Sequence, residues 1–452
     1  MKAFTRLLPA VLLFILLLLK PAFAGAPPIQ WQKTFGGSYE EQATSVQQTA
    51  DGGYIIAGIA WGDQFPEDAD VYLIKTDPNG DELWHMTFGG DVSDTGRSVE
   101  QTSDGGYIIT GSTGTFGPGY SDVYLIKTEP NGNSQWQKAL DGSNYEHGYS
   151  VQQTSDAGYI IAGYTYYGAG DCDVYLIKTD PNGDMQWQKT FGTGDNYESG
   201  RSVQQTSDSG YIIAGYTRPI YDSNSNVYLI KTDPCGNTEW ESDFGGAGRD
   251  EAYSVQQTSD SGYIIAGSTR SYGAGDWDVY LLKTDPNGNI QWQKTFGESN
   301  SDLGRSVLQS YDGGYIIAGS TYSFGAGHWD VYFIKTDPNG NSQWQKAFGG
   351  NSEGYSVQQT SDDGFIIAGL TDSYDAGGWD VYLIKLCSDG TLSADFNCNG
   401  TVYYEDLAIL VDEWLRPPVM LFTDVAPDLG DGIVNGFDFA AFANDWLKST
   451  IP

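Results

Sequence analysis

The chain has 452 residues, 39% of them apolar, with a formal charge of -36 and four cysteines. That apolar content can bury a substantial core, and that much negative charge argues against nucleic acid or an anionic membrane surface as a partner. Only 18% of residues are charged while Gly, Tyr and Trp are plentiful, so the acidity suits a soluble exported protein able to bind cations without specifying a ligand.

The chain opens on MKAFTRLLPAVLLFILLLLKPAFA. Lys2 and Arg6 precede an apolar run from Leu7 to Leu19, and Ala22, Phe23 and Ala24 form an A-x-A cleavage site. The run is too short to span a bilayer core comfortably, and no Cys follows it to take a lipid. Residues 1–24 are therefore read as a signal peptide, not a membrane anchor. Its removal moves the charge from -36 to about -39, because three positive residues go with it. The expected location is secreted or cell-surface, with no membrane span after cleavage.

Next comes IQWQKTF at 29–35, a Trp-centred strand with no partner strand before it. Seven copies of one unit follow, with a period of about 52 residues. YIIAG or a variant begins at Tyr54, Tyr107, Tyr159, Tyr211, Tyr263, Tyr315 and Phe365; VYLIK or a variant begins at Val71, Val123, Val174, Val227, Val279, Val331 and Val381. Each unit reads as four strands: A (SVQQT), an SDGG turn, B (YIIAG), a variable loop, C (VYLIK), a DPNG turn and D (QWQK). B and C are apolar at consecutive positions, so both of their faces must be covered, whereas D alternates and suits an outer strand.

A four-stranded sheet buried on both faces needs a neighbour on each side, and radial repetition supplies one. The fold class is therefore all-β: a seven-bladed β-propeller of four-stranded antiparallel blades over residues 25–387. A solenoid is the alternative, but it would need polar end caps, and no atypical copy is present. The seventh copy has A, B and C but no D, so Ile29–Phe35 is expected to pair with Val381–Leu386 and close the ring. Carried by SVQQTSDGGYIIAG and DVYLIKTDPNGN, the repeats resemble the bacterial seven-bladed β-propeller repeat family, a resemblance that implies a fold and says little about ligand.

The A–B and C–D turns hardly vary while the D–A and B–C loops do, which makes the end carrying those loops the candidate binding face. Just before strand A stand Glu41, Asp94, Glu146, Glu198, Asp250, Asp302 and Glu353, followed by Thr44, Arg97, Tyr149, Arg201, Tyr253, Arg305 and Tyr355. With strand A innermost, both sets are expected around the mouth of a central channel. The acids either tie each loop to its neighbour or form a funnel for a cation or polar ligand. Aromatic residues of the B–C loops, Trp277, Trp329 and Trp379 among them, either stack on a sugar or peptide or pack between blades. The three histidines, His85, His147 and His328, show neither metal-ligand spacing nor a nucleophile motif; a spatial pair of carboxylates for glycoside hydrolysis remains open.

From Ser388 the pattern changes to a 32-residue duplication in which each half is a loop followed by an amphipathic helix. Asp395, Asn397, Asn399, the Thr401 carbonyl and Asp406 stand at calcium-loop spacing, with Gly400 at the sharp turn. The second loop departs, offering Asp428, Asp431, the Ile433 carbonyl, Asn435 and Asp438. Residues 388–452 resemble a type I dockerin, a small α-helical EF-hand-like module, and the resemblance implies calcium as cofactor and a cohesin-like partner. Cys387 and Cys398 flank a short loop and are the disulfide candidates, two free thiols being the alternative.

The sequence thus favours a secreted, non-catalytic propeller that binds a glycan or protein and is tethered by its tail to a larger assembly. A polysaccharide hydrolase or lyase on the propeller is the rival reading, and a structural surface protein the third. An enzyme should show a repeat-breaking carboxylate or a His/Tyr constellation on the variable-loop face.

Overall fold

The computed structural model describes residues 26–388 and 398, apart from 63–68, 141–144, 168–170, 193, 326 and 374–377. The segment read as a signal peptide and all the residues expected to ligate calcium lie outside the described residues. Within them the chain forms seven antiparallel sheets of four strands. Blades 1 to 6 are consecutive meanders over residues 41–88, 94–140, 145–191, 196–244, 250–296 and 302–348. Blade 7 takes strands A to C from Ser352–Gln359, Phe365–Thr371 and Asp380–Leu386 and its D strand from Ile29–Phe35. The pairing runs from Ile29 opposite Leu386 to Phe35 opposite Val381, so the first and last of the described strands close the ring as expected.

Burial follows the sequence pattern. YIITGST and DVYLIKT, strands B and C of blade 2, are buried at every position, whereas strand D of blade 1, ELWHMTF, alternates until its last residue. The core lies between blades: Ile55, Ala57, Val71 and Leu73 of blade 1 pack on Tyr107, Ile109, Tyr124 and Ile126 of blade 2. Each D-strand Trp reaches the following blade, Trp84 meeting Tyr107 and Trp136 meeting Tyr159 with ring centroids 6.1 and 6.0 Å apart. The same indole lies on the C–D turn of that blade. A Cβ on Gly132 would sit 2.8 Å from Trp84, so this glycine serves its positive φ of 86° and the close approach together.

Strand A runs innermost, and its inner-edge donors are met by the neighbouring blade. The backbone N–H of Val99 donates to Ser45 Oγ and that of Gln101 to the Gln47 side chain, and the relation recurs around the ring. The second Gln acts in the opposite direction: Gln101 accepts from the Ala50 N–H of blade 1. The SVQQ motif therefore supplies the side chains that satisfy an edge no further strand could cover.

The VYLIK lysines are buried. Lys127 Nζ, for example, is 2.9 Å from Asp104 of the A–B turn and also donates to the Thr128 carbonyl. Seven such pairs fasten turn to sheet. The second-last turn residue has positive φ in every blade, yet it is Ala157, Ser209, Ser261 and Asp363 in blades 3, 4, 5 and 7. Glycine is thus not required there, because the Asp that caps the turn outweighs a local cost of about 1–2 kcal/mol.

Candidate functional site at the mouth of the channel

The acids before strand A do not ring the mouth. Glu41, Asp94, Glu146, Glu198, Asp250 and Asp302 are all under 9% exposed and serve their own loops. Asp250 accepts from the Gly246 N–H at 2.8 Å and from the Ser271 hydroxyl at 2.6 Å, and Asp302 repeats the pattern with Glu298 and Ser323. In the seventh copy the register puts Ser352, opposite Thr371, at this position, so Glu353 lies one residue further on and half-exposed. The D–A loop leading into that blade is shorter, running from Phe348 to Ser352, which displaces the acid by one position. Burial raises Glu41 and Asp278 above the usual carboxylate range, with help from Asp380 and Asp302 respectively.

Trp277, Trp329 and Trp379 are half-buried at blade junctions, where their carbonyls accept from the N–H groups of Asp302, Ser352 and Glu41 in the next blade. Arg270 lies 4.7 Å from the Trp277 ring, and Tyr322 packs edge-on to Trp329. Tyr272, still exposed, and the half-buried Phe324 pack on the strand-C rings of Tyr280 and Tyr332.

The channel mouth is built by the other predicted set. Every strand A carries a β-bulge, and the extra residue is Thr44, Arg97, Tyr149, Arg201, Tyr253, Arg305 or Tyr355. A bulge re-aims its extra side chain. It also draws strand B close: a Cβ on Gly111 would lie 1.6 Å from the Thr95 carbonyl, which explains the invariant Gly of YIIAG.

The seven re-aimed side chains form a belt. Six of them alternate cation and aromatic ring, and the seventh, Thr44, donates its hydroxyl to the Ala57 and Gly96 carbonyls. Arg201 lies 4.0 Å from the Tyr149 ring centroid and 5.5 Å from Tyr216, Arg97 lies 5.9 Å from Tyr149, and Arg305 sits between Tyr253 at 4.7 Å and Tyr355 at 5.7 Å. Such contacts stabilise by about 0.5–2 kcal/mol each but supply no anionic partner. Among the described residues none of the three guanidiniums pairs with a carboxylate, and the buried Nε of each has no hydrogen-bond partner. Burial disfavours the charge of Arg97, and so does the like charge of Arg201. Burial acts against Arg201 too, but Tyr149, Tyr216 and Tyr253 outweigh it and push it up.

One position outward, the repeat is broken differently in each blade. His147 of blade 3 stacks on Tyr164 at 4.9 Å, and burial with Arg97 and Arg201 lowers it to about 4, so its imidazole is neutral at pH 7. Glu251 and Glu353 occupy this level in blades 5 and 7 and accept from the Tyr253 and Tyr355 hydroxyls at 2.7 and 3.2 Å. The belt is therefore acid-fringed around Arg305 and purely cationic around Arg97 and Arg201.

At the A–B turn end, a cavity of about 400 Å³ is lined by the valines and first glutamines of SVQQ. Two blades depart from the motif there: Glu100 and Leu308 stand where the others have Gln. Burial pushes Glu100 up to about 7 despite the N–H it accepts from Gln153. The sequence signal for these two positions is the pair of exchanged motifs, SVEQT and SVLQS.

Cys387, 1% exposed, is joined to Cys398 with Cα atoms 5.5 Å apart, while Cys172 and Cys235 are free. No cluster of three or more metal-ligating side chains occurs among the described residues.

No family model matches the chain. Over 306 residues it is 24% identical to the regulatory protein FlaEY of Caulobacter vibrioides, an alignment covering 57% of this chain and only 31% of that protein. Among solved structures, YCF48 bound to D1 peptide is similar with a TM-score of 0.49 at 13% identity, covering 82% of this chain and 100% of that one. The Pan2 WD40 domain of Neurospora crassa gives 0.48 at 10% identity, covering 76% and 89%. YCF48 from Cyanidioschyzon merolae gives 0.45 at 11%, covering 78% and 98%. Scores at this level carry no argument about ligand, and the propeller assignment rests on the sheet pairing itself.

Proposed function

We propose that the protein is an exported, non-catalytic binding propeller, which takes a glycan or protein ligand on its variable-loop face and joins a larger extracellular assembly through a calcium-dependent, dockerin-like tail. The observation that carries the binding role is the belt of Thr44, Arg97, Tyr149, Arg201, Tyr253, Arg305 and Tyr355. Elsewhere the seven blades repeat the same side chains for the same structural duties, whereas here bulged positions aim unlike, polar and aromatic groups into one recess. The oxygen-donor spacing from Asp395 to Asp406, with the weaker loop ending at Asp438, supports calcium as the tail's ligand. A cohesin-like partner follows from the tail's resemblance alone.

One observation favours a second reading, a polysaccharide lyase. A neutral His147 beside Tyr149, Tyr164 and two guanidiniums has the groups that proton abstraction next to a carboxylate needs. The deciding experiment exposes the mature chain, with and without calcium, to a panel of polysaccharides and follows binding and depolymerisation together. Binding without turnover is expected. Turnover that disappears in His147→Ala would replace the first reading with the second, and a chain that binds no glycan and no protein would refute both.

A further inference from the structure

We infer that the channel mouth is a carboxylate-recognition site, built around Arg97, Tyr149 and Arg201, and that the ligand it takes is an acidic sugar of the uronate type. This rests on the variable-loop face being the ligand face, and it goes further by naming the chemistry of the ligand.

Charge is the first argument. The chain as a whole carries -36, yet at this one recess three guanidiniums converge with no carboxylate paired to any of them among the described residues. Ordinary folding does not bring this about: like charges drawn together under partial burial cost free energy unless an anion completes the arrangement. The seven buried lysines of strand C are paired, whereas a buried guanidinium Nε without a partner recurs outside the belt at one place among the described residues, Arg218 over the Tyr197 ring. Lys75, Lys127, Lys178, Lys231, Lys283, Lys335 and Lys385 each meet an aspartate within about 3 Å. The arginines of the belt have no such partner and are aimed by their bulges at the channel.

Shape is the second. A guanidinium presents a planar fork that matches a carboxylate bidentately. Tyrosine rings set between the forks add flat apolar faces with a polar edge, which suit the C–H face of a pyranose ring. The alternation therefore fits a ligand whose carboxylate and ring lie side by side, as in a uronate. The two halves of the belt differ as well. Glu251 and Glu353 engage Tyr253 and Tyr355 on either side of Arg305 and oppose an anion there, whereas His147 next to Arg97 and Arg201 is uncharged. The carboxylate is thereby directed to blades 2 to 4, which leaves the acid-fringed side to accept sugar hydroxyls.

Calorimetric titration of the mature chain with a uronate oligosaccharide, its methyl ester, a neutral oligosaccharide of the same length, a sulfated one and an acidic peptide tests this. The uronate is expected to bind and its methyl ester to bind at least about tenfold more weakly, the loss of one charge-assisted contact. Arg97→Gln and Arg201→Gln should each weaken uronate binding by about tenfold or more, and Arg201→Lys by less, with melting temperature and the Tyr near-ultraviolet signal serving as checks on folding. If either Gln variant unfolds, the ester comparison on the unaltered chain decides alone. Equal binding of uronate and ester, or preference for the neutral oligosaccharide, overturns the inference while the binding face stands. Preference for the sulfated sugar or for the acidic peptide overturns the uronate assignment. Absence of binding to every probe and to protein baits overturns the ligand face as well.

Discussion

Phe35 is the residue on which closure of the ring can be measured. It ends the borrowed D strand, is 8% exposed, and fills the seam between blade 7 and blade 1 with Ile366, Ala368, Val381 and Leu383 on one side and Ala43, Val46, Tyr54 and Ile56 on the other. Phe35→Ala removes a buried ring from a site whose walls belong to two sheets and cannot collapse freely, so the cost is about 3 kcal/mol. In a domain of this size that lowers the melting temperature by roughly 6 °C, since each kcal/mol moves a large domain by about 2 °C. Phe191→Ala, at 7% exposure between blades 3 and 4, should cost the same in calorimetry. The two sites then diverge. Deleting residues 26–35 leaves Asp380–Leu386 as an unpaired edge, and the truncated chain should associate with itself in size-exclusion chromatography until a peptide of residues 26–36 is added. A melting temperature for Phe35→Ala within about 1 °C of the parent, together with a monomeric truncated chain, would refute closure by this strand.

Asp104→Ala leaves Lys127, 3% exposed, without its carboxylate. It should cost about 2–3 kcal/mol, below the usual figure for a buried pair because the Asp itself is half-exposed, and Lys127→Met added to it should restore part of the loss. The same pairs set the acid limit. Burial works against the charge of Asp104 and Asp208, but the Thr102 and Thr206 hydroxyls, Lys127 and Lys231, and turn N–H groups outweigh it and lower both to about 2. A carboxyl depressed in the folded state contributes stability in full above its unfolded value near 4 and loses it as pH falls toward 2, so melting temperature should fall steeply across that window. Glu100 has the opposite sign: raised to about 7, its penalty is absent below about 4.5 and complete above about 7. Glu100→Gln should therefore stabilise the protein at pH 8 by on the order of 1–3 kcal/mol and hardly change it at pH 5, and equal shifts at both would refute the burial argument. Asp395→Ala, or a chelator, should abolish calcium-dependent protection of residues 388–452 from proteolysis while the propeller melts unchanged; protection that survives both would refute the calcium loop.

Most of the fold was legible because it depends on properties that every copy shares. Consecutive apolar residues in YIIAG and VYLIK require a covered sheet, and a unit count that begins with D and ends with C requires an exchange of strands. Glu353 shows where such counting fails: the acid stands three residues before the bulge residue in six copies but two before Tyr355 in the seventh, and only the register opposite Thr371 reveals that Ser352 has replaced it. The belt shows a deeper limit. Arg97, Tyr149 and Arg201 were visible as an alternation, but strand parity alone cannot say that they turn into the channel, because a bulged residue leaves the period of two. The acids, which look like the more functional set, are consumed by loop N–H groups and hydroxyls. In a repeat protein, a side chain kept in nearly every copy is most economically explained by a duty that every copy has, such as capping a loop or covering an edge. Ligand contact belongs to positions that share a geometry and differ in chemistry. By that criterion the bulge residues, with the varied level of His147, Glu251 and Glu353 above them and the exchanged Glu100 and Leu308 at the A–B turn end, are the residues in which this propeller departs from its own symmetry.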